Sequence, residues 1–131
     1  DLLLSMYIAW AERRNMRVEV LEQDAERCRA RLAVSGFGAQ ALLADEHGLH
    51  VLEQESDDDI ATRRIAATVR VAPDLPGRAR PDLLGADDEP RVCRRYRAAP
   101  SPLVRDAIRG WRSGRLDRVL AGEFDVIVVD D

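Results

Sequence analysis

Near residue 14 the hydrophobic repeat changes from a helical period to a period of two, and this change confines the chain to a mixed α+β layer. Before it, Leu2, Leu3, Tyr7, Trp10 and Ala11 recur at helical spacing, and Glu12, Arg13 and Arg14 mark the polar end. The spacing predicts an amphipathic helix over 2–14. After it, "RVEVLE" sets Val18 and Val20 against Arg17 and Glu19, and "CRARLAVS" sets Ala30, Leu32 and Val34 against Arg29, Arg31 and Ala33. "GFGAQ" supplies a glycine hinge, and "AQALLADEHG" predicts a short helix that Gly48 ends in a left-handed conformation. Strands are expected at about 49–54 and 66–71, the second with Ala67, Val69 and Val71 inward against Thr68 and Arg70.

Four such strands with one apolar face, covered by helices, give an α+β fold with a four- to five-stranded, mostly antiparallel sheet. "VCRRYR" supplies the fifth strand, and the open face carries Arg17, Glu19, Arg29, Arg31 and Arg70. Residues 72–90 hold four of the six prolines and two glycines, which predicts a loop or linker. Beyond it, "SPLVRDAIRGWRSG" reads as a helix started by Ser101 and Pro102, and "RLDRVLAG" as a short helix ended by Gly122. At 131 residues and 46% hydrophobic content, one core and a single domain over 1–131 are expected.

Cys28 and Cys93 cannot define a disulfide framework, and they read as two buried thiols in a reducing compartment. No segment approaches the length of a membrane span, so no membrane partner and a cytoplasmic location are expected. The start at Asp1, inside an apolar run, reads as a cut from a longer polypeptide.

All twenty basic residues are arginines, which leaves only guanidinium chemistry for binding anions. Their distribution is uneven. Residues 1–90 carry 11 arginines against 18 acids, residues 91–118 carry 9 against 2, and residues 119–131 carry 4 acids and no base. A basic block of that kind is the electrostatic footprint of a nucleic-acid contact, or else a solvated face paired with the acidic remainder.

Several constellations suggest chemistry and fall short of it. His47 and His50, beside Asp45 and Glu46, straddle a predicted helix-to-strand break and lack helical ligand geometry. Asp57, Asp58 and Asp59 lack the alternating ligands and glycine of a calcium loop, and read as a solvated turn. "FDVIVVDD" is an apolar run ending in acids, without any phosphate-cradling glycine-lysine loop. Cys28 has no activating base beside it. No catalytic residue, metal or cofactor is expected.

Four stretches resemble, in order, parts of class I bacterial peptide chain release factors: "MYIAWAERRNMRVEVLEQ", "HGLHVLEQES", "TRRIAATVRV" and "RRYRAAPSPLVRDAIRGWRSGRLDRVLAGEFD". Gly48, Leu49, His50 and Leu52 fill that family's Gly-Val-His-Arg-Leu strand, and Arg63 and Arg64 fill its Arg-Arg pair. Val104, Arg105, Asp106, Arg109, Gly110, Leu120 and Gly122 fill its late Val-Lys-Asp-x-Arg-Thr-Gly and Leu-Asp-Gly patterns. The resemblance implies the compact α+β body that occupies the ribosomal decoding region.

The departures are equally specific. Ser56-Asp57-Asp58 stands where family members that read UGA carry Ser-Pro-Phe, which sets carboxylates where anionic RNA would lie. Ile65 replaces the histidine that stacks on the codon. The Gly-Gly-Gln domain that hydrolyses peptidyl-tRNA would fall between residues 72 and 90, where only the linker stands.

The expectation is therefore a non-catalytic module that contacts the ribosome or RNA through Arg29, Arg31, Arg70, Arg94, Arg95, Arg97, Arg109 and Arg112. The alternative is a protein-interaction appendage, similar to C-terminal extensions of Clp-type AAA+ ATPases of chaperone character, with ATP bound upstream.

Overall fold

The computed structural model describes residues 2–55, 62–72, 91–98 and 101–125. The expected acidic turn at 57–59, most of the segment 72–90 and the tail 126–131 lie outside the described residues.

Helix α1 spans Leu2–Arg13 and buries Met6, Tyr7, Trp10 and Ala11. It ends where Asn15 takes a left-handed φ of 57°. The Met16 amide then reaches back to the Ala11 carbonyl at 2.8 Å, closing the last turn. Strands β1 (Arg17–Asp24) and β2 (Arg29–Ser35) form an antiparallel ribbon that pairs with no other described strand. Their connection is set by Asp24, whose Oδ1 accepts from the amides of Glu26 and Arg27 at 3.1 and 3.2 Å.

Two expectations fail in this ribbon for local reasons. Val20, expected on the apolar face, keeps the face of Val18 but is 45% exposed, and a register shift just beyond it, between Val20 and Glu22, marks a bulge at Leu21. Cys28 sits at the hairpin end with φ 51° and is exposed, not buried.

Helix α2 (Ala39–Ala44) stops at Asp45, before Gly48. Gly48 instead opens β3 (Gly48–Glu55) with φ 137°, where a Cβ would lie 2.5 Å from the Arg91 carbonyl oxygen. Strand β4 (Thr62–Val69) pairs antiparallel with β3, and β5 (Val92–Arg97) pairs parallel with it on the other side. The segment read as a helix from Ser101 is a β-hairpin: β6 (Leu103–Asp106), a turn, and β7 (Arg112–Ser113). Asp106 Oδ1 accepts from the amides of Ile108 and Arg109 at 2.9 and 2.6 Å, and Gly110 takes φ 80°. That turn chemistry, with pairing of β6 to β5, overrides any helical start at Ser101.

The five-stranded sheet thus runs β4-β3-β5-β6-β7, antiparallel except at β3-β5. It has the expected strand number and mixed α+β character, but β1 and β2 stand apart from it. Helix α3 (Leu116–Arg118) runs into a kinked helical turn, Val119–Glu123, with Gly122 at φ 95°. The core lies between α1, the inner sheet face and this turn: Met6, Tyr7, Trp10 and Ala11 meet Tyr96, Val104, Trp111, Val119 and Phe124.

Candidate functional site

Strand alternation divides the arginines of "VCRRYR" between the two sheet faces. Arg94 shares the inner face with Tyr96, while Arg95 projects from the outer one. Arg94 is fully buried, so its side chain is unavailable to a phosphate, contrary to expectation. All five of its donors are engaged. Nε and one Nη donate to Asp106 Oδ2 at 3.1 and 2.8 Å, and the two Nη donate to the Glu46 carboxylate at 2.8 and 2.5 Å. The fifth bond goes to the Tyr96 hydroxyl at 2.9 Å.

Arg109 joins the same network. It donates to Glu46 and, through its second Nη, to the Leu42 carbonyl at 2.8 Å. Two guanidiniums therefore face the two buried carboxylates Glu46 and Asp106, and the guanidinium of Arg94 lies 4.9 Å from the Phe124 ring centre. Burial alone would depress the Arg94 pKa, but Tyr96 and Glu46 hold it raised. The chemistry is structural. It ties the α2-β3 junction to β5 and β6.

His50 completes the cluster. Its Nε2 donates to the Glu46 carbonyl oxygen at 2.8 Å, so Nδ1 accepts from the Tyr96 hydroxyl at 2.7 Å, the arrangement of a neutral ring. Burial, the largest cause, lowers its pKa below the ordinary 6.5. The unfolded chain then takes up a proton more readily than the folded one. This contribution is present above about pH 6.5 and is lost as pH falls through the folded-state value. The melting temperature should therefore drop between about pH 7 and pH 5.5. In His50→Gln, whose amide can still donate to the Glu46 carbonyl, the drop should shrink; an undiminished drop would show that His50 does not contribute to it.

The remaining expected contacts separate by environment. Arg95 is exposed, with an ion pair to Glu53 at 3.5 Å. Arg112 is exposed on β7. Arg97 is half-buried and donates to the Ser101 carbonyl at 3.2 Å. On the ribbon, Arg29 pairs with Glu22 at 3.2 Å and Arg31 is half-buried. Arg70 is half-buried just past β4. Arg64 is exposed with Glu53 3.8 Å away, and the Arg63 side chain lies outside the described residues.

The roles of two residues named in the sequence were not legible there. Glu46, weighed only beside His47 and His50 as a metal constellation, anchors the buried network through side-chain partners 39 to 63 positions away. Arg105 was legible only as a family position; recognising Leu103–Asp106 as a strand would have set it outward.

Ala67, expected inward, is exposed together with Ile65, which is 46% exposed. Both line an apolar groove of about 210 Å³ with Leu2, Leu3, Leu52 and Leu120. His47 lies apart from His50 in function, since its Nδ1 accepts from the Val71 amide at 3.0 Å. Among the described residues no three His, Cys, Asp or Glu side chains are placed to hold a metal ion. Burial pushes the Cys93 thiol up to about 12, and it donates to the Asp45 carbonyl, so it is no nucleophile. No helix among the described residues is long and apolar enough to cross a membrane.

The chain with this helix, sheet and buried network belongs to the PCRF domain family, whose signature matches residues 1–71. It is 38% identical over 81 residues to peptide chain release factor 2 of Pseudothermotoga lettingae, covering 57% of this chain and 22% of that protein. Against peptide chain release factor 2 of Helicobacter pylori strain Shi470 the identity is 34% over the same length and coverage. The chain thus spans 22% of the length of these curated relatives. Its fold is that of RF2 of Thermus thermophilus, with a TM-score of 0.62 at 19% identity, over 96% of this chain and 60% of that one.

Proposed function

We propose that this chain is a ribosome-binding module of release-factor type that neither reads a stop codon nor hydrolyses peptidyl-tRNA, and so works in the cytoplasm without a cofactor. The single observation that carries this reading is the identity of residue 65. Within the stretch matched to the family, the position that resembles the codon-stacking histidine is an isoleucine, 46% exposed and unable to stack or hydrogen-bond with a base. Two sequence facts support it. By the resemblance, Ser56-Asp57-Asp58 stands where family members that read UGA carry Ser-Pro-Phe, and the 131 residues contain no Gly-Gly-Gln.

The contacts retained on this reading are arginine to phosphate, which give affinity without sequence information. Arg95, Arg97 and Arg112 are the foremost candidates in the basic block, with Arg29, Arg31 and Arg70 elsewhere on the surface. Arg94 and Arg109 serve the fold instead.

The test is binding to ribosomes programmed with a stop codon or a sense codon in the decoding site. Equal affinity for both, with no release of the nascent peptide, is expected. A clear preference for the stop codon, or peptide release, would overturn the reading.

A further inference from the structure

Strand pairing sets three arginines in one row across the outer face of the sheet. On β5 and β6, Arg95 lies directly opposite Arg105, and on β6 and β7, Arg105 lies directly opposite Arg112. Directly opposed residues of antiparallel strands project from the same face, and all three of these are exposed. Neighbouring strands are about 4.8 Å apart, so the row covers roughly 10 Å of sheet.

Like charges directly opposed destabilise a sheet. Folding therefore gives no reason for this row. Arg95 is offset by Glu53, which also approaches Arg64. The side chains of Arg105 and Arg112 have no hydrogen bond or ion pair among the described residues, their main chains pairing only within the sheet. Buried Arg94 and half-buried Arg109 of the same block show the contrast, because each is matched by carboxylates.

We infer that Arg95, Arg105 and Arg112 form a track for the phosphodiester backbone of ribosomal RNA. This rests on the ribosome-binding reading above and names the surface and the ligand that serve it. Each of the three guanidiniums is exposed and can reach a phosphate oxygen of a backbone lying across the row. Guanidinium forks suit phosphate oxygens, and a row without base-reading groups binds independently of sequence. Glu53 acts as an internal competitor, an anion already seated at one end of the track.

The experiment measures affinity against salt concentration for ribosomal subunits and for ribosomal RNA stripped of protein. The wild-type chain is compared with the triple variant Arg95→Gln, Arg105→Gln, Arg112→Gln and with Glu53→Gln. Three lost phosphate contacts should reduce the slope of log affinity on log salt by about 2 to 3 in the triple variant, on both targets. Glu53→Gln should bind more tightly than wild type at every salt concentration. Because all three arginines are exposed, the triple variant should melt at or slightly above the wild-type temperature, which separates lost binding from lost folding.

If the wild-type chain binds subunits and the triple variant keeps the same slope, or if stripped RNA shows no dependence on the row, the track is wrong while the ribosome-binding reading stands. If the wild-type chain binds neither target, that reading fails and the track loses its ligand with it.

Discussion

Replacing Arg94 with methionine should cost about 3–5 kcal/mol, because it leaves Glu46 and Asp106 as buried carboxylates without their principal cation. A domain of this size has a total stability of roughly 5–15 kcal/mol, so the variant should be largely or marginally unfolded near physiological temperature. Arg94→Lys should also be strongly destabilised. An ammonium has three donors and no planar fork, and it cannot serve two carboxylates and the Tyr96 hydroxyl with the five bonds Arg94 makes. Denaturant titration measures both variants. A loss below about 1 kcal/mol for Arg94→Met would contradict the structural role of the network. One consequence concerns binding experiments: a double replacement of Arg94 and Arg95 would confound unfolding with loss of contact. Arg95 must be replaced on its own or with its neighbours on the outer face.

A second large effect is expected at Gly122. A Cβ there would lie 2.5 Å from the Trp10 amide nitrogen, 2.7 Å from Trp10 Cα and 2.9 Å from the Ala9 carbonyl carbon, all main-chain atoms of α1. The turn Val119–Glu123 is held against the helix at this point by the Arg13 guanidinium, which donates to the Gly122 carbonyl at 2.9 Å. Gly122→Ala combines left-handed strain of about 1–2 kcal/mol with overpacking of about 1–3 kcal/mol, a total of roughly 2–5 kcal/mol. Gly110 supplies the comparison. It too has a positive φ, 80°, but a Cβ there meets nothing within 4 Å. Gly110→Ala should therefore show the strain alone. If the two variants lose equal stability by denaturant titration, the close approach of Gly122 to α1 is not what fixes glycine there.

What could be read from the sequence was whatever is encoded over a few residues. Trp10 and Ala11 follow Tyr7 at helical spacing, and the helix is there; the strands expected at about 49–54 and in "VCRRYR" are there as β3 and β5. The end of the last helix at Gly122 was legible because a left-handed residue after "RVLA" leaves a local signature. Whatever depends on distant partners was not. Arg94 and Arg109 counted equally with Arg95 and Arg112 in the basic block. Only the fold shows that Glu46, in the α2-β3 junction, draws the first two inward. The hairpin at 103–113 was misread because Ser101-Pro102 imitates a helix start. The stronger signal was Asp106 with Gly110, a turn that the pairing of β6 with β5 makes decisive. In the ribbon, the bulge at Leu21 shifts the register beyond Val20, and alternation alone cannot foresee a bulge.

On the reading proposed above, a PCRF-family body serves here as a ribosome-binding surface. The most direct test is co-sedimentation of this chain with ribosomes across a salt series, beside a charge-matched control protein. Salt-sensitive pelleting that exceeds the control at low salt, with log affinity falling linearly as log salt rises, is expected. Pelleting no better than the control at the lowest salt would contradict it, and would leave a PCRF fold whose partner is a protein.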